Sequence, residues 1–217
     1  MDDGLAWGRD ATLLDVQAVD ALHETTLEMP GWPARCSLEV ENGFLGRVLE
    51  NHRLNALLWN EEDEARRPDV PDSAIAANKR AIDGYNQRRN DAIEAMDEIV
   101  LEIMEREARP LMEHAWINSE TAGSIVDRMS IGSLKIHHMG LQCRRVDVDD
   151  AHRRLCADKL SRLRAQRAHL SACLRELLDG MLAGRCTYRA HRQFKMYNDP
   201  SLNPSLYGAG RLSTEEA

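Results

Sequence analysis

Three sets of residues in this chain could do chemistry. Each repeats at the three- and four-residue steps that gather side chains on one face of a helix. The first lies in KRAIDGYNQRRNDAIEAMDE, from Lys79 to Glu98. There Asp83, Asn86, Gln87, Asn90, Glu94 and Asp97 make a polar stripe beside an apolar one that starts at Ile82 and runs on to Ile103. Asp and Asn are poor helix formers, because their short side chains compete for backbone hydrogen bonds. A helix that spends so many positions on them is expected to use them. The second set is His52, Asn55, Trp59, Glu62 and Arg66. The third is Arg128, Lys135 and His138, with Asp127 at its edge.

These residue types point to acid–base work and anion recognition. Asp83, Glu94 and Asp97 are candidate catalytic carboxylates, and His138 a candidate proton carrier. Arg66, Lys79, Arg80, Arg128, Lys135 and Lys195 could hold phosphate or carboxylate groups. Asn86, Gln87 and Asn198 could complete a ligand site through amide hydrogen bonds. Glu62 and Asp63 are candidate metal carboxylates, for which magnesium is the fitting ion. The pairs Glu61/Glu64 and Glu94/Asp97 also match the short acidic patterns by which helical nucleotide pyrophosphohydrolases hold magnesium. Hairpin geometry argues against one shared metal: Asp83 and Glu94 stand about 16 Å apart along their helix. Instead, the hairpin is expected to set Lys79 and Asp83 against Glu62 and Arg66, as an ion-pair lock. His52 and Asn55 would then face Asn90 and Glu94. No P-loop, dinucleotide fingerprint, nucleophile elbow or HExxH pattern occurs, and the adjacent His137 and His138 point to different helix faces.

Five helices must position these groups. The first is expected from about residue 10 to 29, stopped by Pro30-Gly31-Trp32-Pro33, with His23 and Glu24 as a surface pair. The second is expected from about Ser37, as a cap, to Arg67. The third is capped by Asp72 or Ser73 and ends near Ala108; its Gly84 suggests the close approach of a neighbour. Residues 109–121 form a connector that could hold a short helix, with Trp116 as a core anchor. The fourth helix runs from Thr121 to Cys143, with Gly132 marking tight packing. The fifth spans about 148–183 and ends at Gly184. Its seam is Cys156, Leu160, Leu163, Arg167, Leu170, Leu174, Leu177 and Met181, which steps like a bundle interface broken only by Arg167. Beyond it, Phe194, Met196, Tyr197, Leu202, Leu206 and Tyr207 give an arm too apolar for a flexible tail, despite its turn signals.

Composition sets the remaining bounds. With 217 residues, 5% aromatics and few β-branched runs, the chain reads as a single all-α domain over 1–207, with a disordered tail over 208–217. The fold class is a helical bundle of about five main helices with an irregular C-terminal arm packed over it. A net charge of −8 disfavours nucleic acid as a partner. No apolar run reaches membrane-spanning length, and the acidic start does not read as a signal peptide. Five cysteines without a CxxC pair suggest free thiols, mostly buried, in a cytoplasmic protein. Nothing in the residues fixes an oligomeric state.

The segments LWNEEDEAR, KRAIDGYNQRRNDAIEAMD, DRMSIGSLKIHHM and FKMYNDPSLNPSLY, in that order, resemble a bacterial family of unknown function, DUF4254, over about Asn51 to Tyr207. The resemblance picks out Glu62, Asp63, Arg66, Lys79, Arg80, Asp83, Asn86, Gln87, Arg89, Glu94, Asp97, Arg128, Lys135, His138, Lys195 and Asn198 among the matched positions. Members are often associated with genes for surface-polysaccharide glycosyl transfer, which implies a sugar or sugar-phosphate ligand. The leading expectation is an enzyme or binding protein for a small phosphorylated or glycosyl compound, with its site between helices two, three and four. The rival is a non-catalytic interaction or assembly protein whose polar stripe is a structural network. A magnesium-dependent pyrophosphohydrolase is the second alternative.

Overall fold

The computed structural model describes residues 14–36, 38, 40, 43–190, 192, 199 and 201–204. Five helices make up almost all of its regular structure: α1 (Val16–Leu27), α2 (Phe44–Glu64), α3 (Asp72–Glu107), α4 (Ala122–Cys143) and α5 (Asp150–Leu182). Two three-residue strands, β1 (Trp116–Asn118) and β2 (Cys186–Tyr188), complete it. The protein is thus a mostly all-α bundle. None of its helices is long and apolar enough to cross a membrane.

Local chemistry sets most of the helix ends. Asp15 accepts a hydrogen bond from the Gln17 N–H at the start of α1. Thr121 does the same for Ser124 in α4, and Asp149 for His152 in α5. The other two helices start differently from the expectation. α2 begins at Phe44 after Gly43, with no side-chain cap, and the expected Ser37 cap lies outside the described residues. α3 follows Pro71, so Asp72 belongs to its first turn rather than to its cap. α5 stops at Ala183, and Gly184 follows with φ 73°. A Cβ at Gly184 would also fall 2.3 Å from the carbonyl of Pro110, so both conformation and contact require glycine there.

The core joins Val19 and Leu22 of α1, Val48 of α2, Met96 and Val100 of α3, Val126 and Met129 of α4, and Leu174 and Leu177 of α5. Of the α5 seam, Cys156, Arg167, Leu174, Leu177 and Met181 are buried, whereas Leu160, Leu163 and Leu170 are only half-buried. Gly123 starts α4 against α3, where a Cβ would lie 2.5 Å from the Ile93 carbonyl. A Cβ at Gly84, by contrast, would meet nothing within 4 Å among the described residues, so no neighbouring helix makes the close approach expected there.

The connector is not helical. The backbone N–H groups of Arg109, Met112 and Trp116 bond to the carbonyls of Leu182, Gly184 and Arg185, which draws the segment out alongside the end of α5. β1 then pairs in parallel with β2, Trp116 opposite Cys186. The strand that faces the core is β2, through Cys186 and Tyr188. Trp116 is 54% exposed and is no core anchor. All five cysteines are free; Cys156 and Cys186 are buried, and Cys173 is exposed. Most of the C-terminal arm lies outside the described residues.

Candidate functional site

The polar stripe of α3 divides into groups with different surroundings. Lys79 pairs with Asp83 along its own helix, and Gln87 donates to Asp91. On the other side of the hairpin, Arg66, just past the end of α2, pairs back to Glu62 of that helix at 3.1 Å. The expected lock between the two helices is therefore two separate exposed (i, i+4) pairs, each worth little. The contact that does cross the hairpin at this level is Asn78 donating to Glu61 at 2.7 Å. Arg80 is exposed.

At the other end of the stripe, Asp97 is buried and accepts the Gly123 N–H at 2.7 Å, which caps the start of α4. Burial raises its pKa; hydrogen bonds from Thr121 and Gly123 oppose that, and the neighbouring Glu94 carboxylate adds to it. The Tyr188 hydroxyl donates to the Asp97 carbonyl, tying β2 to the same point. Asp97 thus joins α3, α4 and β2. Glu94 is half-buried beside it.

The middle of α3 meets α2 and α4 in a buried polar network. Asp127 of α4 is 5% exposed, and its Oδ1 accepts from Asn51 and Asn55 at 2.9 Å each. Arg89 Nε lies 3.1 Å from the same oxygen, and its NH1 donates to Asn86 at 3.3 Å. Asn55 also donates to the Ser130 hydroxyl, which lies 2.7 Å from His52 Nδ1. His52 and Asn55 therefore face α4, not Asn90 and Glu94. A carboxylate this deep is tolerable because a guanidinium and two amides surround it.

The network continues into α1 and α5. The rings of His52 and His23 lie 4.5 Å apart, and Trp32 stacks on His52 from the other direction at 5.5 Å. His23 is wholly buried, which corrects the surface pair expected with Glu24. Arg167 NH2 lies 3.1 Å from His23 Nδ1, its Nε donates to Ser133, and its NH1 lies 2.8 Å from Asp20. A guanidinium can only donate, so His23 Nδ1 is the acceptor and the proton sits on Nε2. Both imidazoles stay neutral. Burial, His52 and Arg167 hold His23 well below its usual pKa; burial and Arg167 bring His52 down to about 3. The sequence signals for this cluster were the arginine that interrupts the α5 seam and the glycine opposite it: a Cβ on Gly132 would lie 3.2 Å from Arg167 Cδ.

Three openings border these groups. A cleft of about 380 Å³ between α2, α3 and α4 is lined by Asn55, Trp59, Glu62, Asp63, Arg66 and Arg89, with Ile131 and Leu134 on the α4 side. His138 lies parallel to Trp59 there, ring centres 4.4 Å apart. Burial, then His137, lowers the His138 pKa, while Asp63 raises it. Trp59 Nε1 is buried with no hydrogen-bond partner among the described residues. Glu62, Asp63 and Arg66 are the expected site residues that line this cleft, and His138 adjoins it only through its stack on Trp59. Arg128 and Lys135 instead border a groove of about 490 Å³ between α4 and α5. A third opening, about 640 Å³ between α1, α4 and α5, is lined by Asp20, Glu24, Glu28, His137 and Arg167 among others. Among the described residues, no three His, Cys, Asp or Glu side chains converge to hold a metal. Glu62 and Asp63 share their space with Arg66, and the Glu61/Glu64 and Glu94/Asp97 pairs do not gather into one centre. Lys195 and Asn198 lie outside the described residues.

The family model described as a protein of unknown function, DUF4254, matches residues 46–190. The match covers α2 to β2, including every group that lines the α2–α3–α4 cleft, and stops before FKMYNDPSLNPSLY. No curated protein and no solved structure matches the chain.

Proposed function

The chain belongs to the DUF4254 family, whose description assigns no activity, and from the site itself we propose that the protein binds a small glycosyl or phosphorylated compound in the α2–α3–α4 cleft. The observation that carries this reading is Trp59, which lines an open cleft and whose buried indole N–H has no hydrogen-bond partner among the described residues. An unpaired buried donor is costly, and a ligand acceptor would satisfy it. Around it stand carboxylates, an amide and guanidinium groups from Glu62, Asp63, Asn55, Arg66 and Arg89. A polyol needs acceptors and donors at short spacing, and an aromatic face for its C–H groups. Arg89 is braced from behind by Asp127, so its guanidinium is positioned before any ligand arrives.

The chemistry on offer is proton transfer. His138 is neutral near pH 7, because its pKa is lowered, and Asp63 is close enough to act on it electrostatically. An imidazole so placed could take a proton from a bound hydroxyl. A thermal-shift screen of sugars, sugar phosphates and nucleotides, with and without magnesium, tests the reading. Hits should vanish in Trp59→Phe, which keeps a ring but removes the N–H, and in Glu62→Gln. Hits that survive both substitutions would move the site elsewhere.

The rival reading draws support from the Asn51–Asp127–Asn55–Ser130–His52 network, whose hydrogen bonds join α2 to α4 and could fix helix register without any ligand. Under it, substitutions in the network would change stability alone, and the screen would yield no ligand.

A further inference from the structure

The cationic residues first grouped with the α2–α3–α4 cleft fall into two places. Arg66 and Arg89 line that cleft, whereas Arg128 and Lys135 line the α4–α5 groove with Gln166, Arg167 and His169. We propose that this groove is a separate binding site for a phosphoryl anion, of diphosphate size rather than a single phosphate.

Charge is the first argument. The chain carries a net charge of −8, yet among the described residues no carboxylate lines the groove. Arg128 is paired with Glu120 at 2.6 Å, and Arg167 with Asp20 from the opposite side of α5. Lys135 is exposed and has no ion-pair partner among the described residues. A concave surface lined by one sign of charge focuses the field and concentrates the opposite ion. Geometry is the second. Arg128 and Lys135 are seven residues apart on α4, about 10 Å along the axis, and both line the groove. Gly132 leaves room on this face of α4 for the stem of Arg167. That guanidinium is held by hydrogen bonds to Ser133 and His23 and by its ion pair with Asp20, so it supplies fixed positive charge to the groove. The free donors are Lys135, Gln166 and His169, with the unpaired edge of Arg128. The groove, of about 490 Å³, has room for two linked phosphoryl groups between Arg128 and Lys135.

The groove and the cleft share one wall, Ile131. A compound with a phosphoryl end could therefore reach both, but the groove does not depend on the cleft being occupied. Titration of the whole protein with inorganic pyrophosphate, followed by calorimetry and by amide NMR, tests the site. Saturable binding is expected, with the largest shifts at Lys135, Gln166 and His169. Lys135→Ala and Arg128→Ala should each weaken it about tenfold, and Lys135→Glu should abolish it; both positions are exposed, so the fold is expected to persist. Trp59→Phe should leave pyrophosphate binding unchanged, which separates this site from the glycosyl cleft. No saturable binding at millimolar pyrophosphate, or binding indifferent to both Lys135 substitutions, overturns the proposal and leaves the cleft reading intact. Pyrophosphate binding that is lost in Trp59→Phe and kept in Lys135→Ala would place the anion in the cleft and also overturn it.

Discussion

The imidazole of His138 lies on the indole of Trp59 with ring centres 4.4 Å apart and planes 6° from parallel. The stack joins α4 to α2 beside the cleft, and it places a titratable ring against a hydrophobic surface. Burial and His137 both disfavour its charged form, and Asp63 favours it. An NMR titration should therefore find the His138 pKa below 6.5. Asp63→Asn should lower it further, and His137→Gln should raise it. A value above 6.5 in the unmodified protein would contradict this balance.

Acid should destabilise the fold through the two buried, neighbouring histidines, His23 and His52. Their folded pKa values lie below the unfolded value of 6.5, near 3 for His52. Between those values the unfolded chain binds protons that the native one refuses, so stability falls as pH drops from 6.5 toward 3. The slope is about 1.4 kcal/mol per pH unit for each histidine. Urea unfolding at a series of pH values should show a shallower acid loss in His52→Gln than in the unmodified protein. The raised pKa of Asp97 acts in the opposite sense, and the comparison with His52→Gln removes it.

Arg167→Ala should cost about 3–5 kcal/mol. The substitution strips Asp20 of its guanidinium and leaves His23 Nδ1 and Ser133 without their donor. Asp20 is a third exposed, so water recovers part of its loss. Arg167→Met, which keeps the stem, should cost less than alanine if packing contributes beside charge. Denaturant midpoints at constant slope measure both.

Asp97→Asn should weaken the fold by about 1–2 kcal/mol without touching ligand affinity. Its carboxylate holds the Gly123 N–H and therefore the start of α4. A substitution that abolished ligand binding at unchanged stability would restore Asp97 to the site.

The helix inventory was legible in the sequence, because helical periodicity and capping residues are local. Thr121 and Asp149 announce α4 and α5, and the break around Pro68 separates α2 from α3. The stripe His52–Asn55–Trp59–Glu62–Arg66 was equally visible. What it faces was not, because spacing fixes which residues share a helix face and leaves open which neighbour that face meets. Tertiary packing turned His52 and Asn55 toward Asp127 and Ser130, took Asp97 into a cap, and separated Arg128 and Lys135 from Arg66. The β1–β2 pair depends on contacts about 70 residues apart in sequence, Trp116 with Cys186, which no local pattern encodes. Arg167 shows the division most clearly. The sequence displayed an arginine in an apolar seam, but only the folded chain supplied Asp20, Ser133 and His23, each from a distant segment, to offset the cost of burying it.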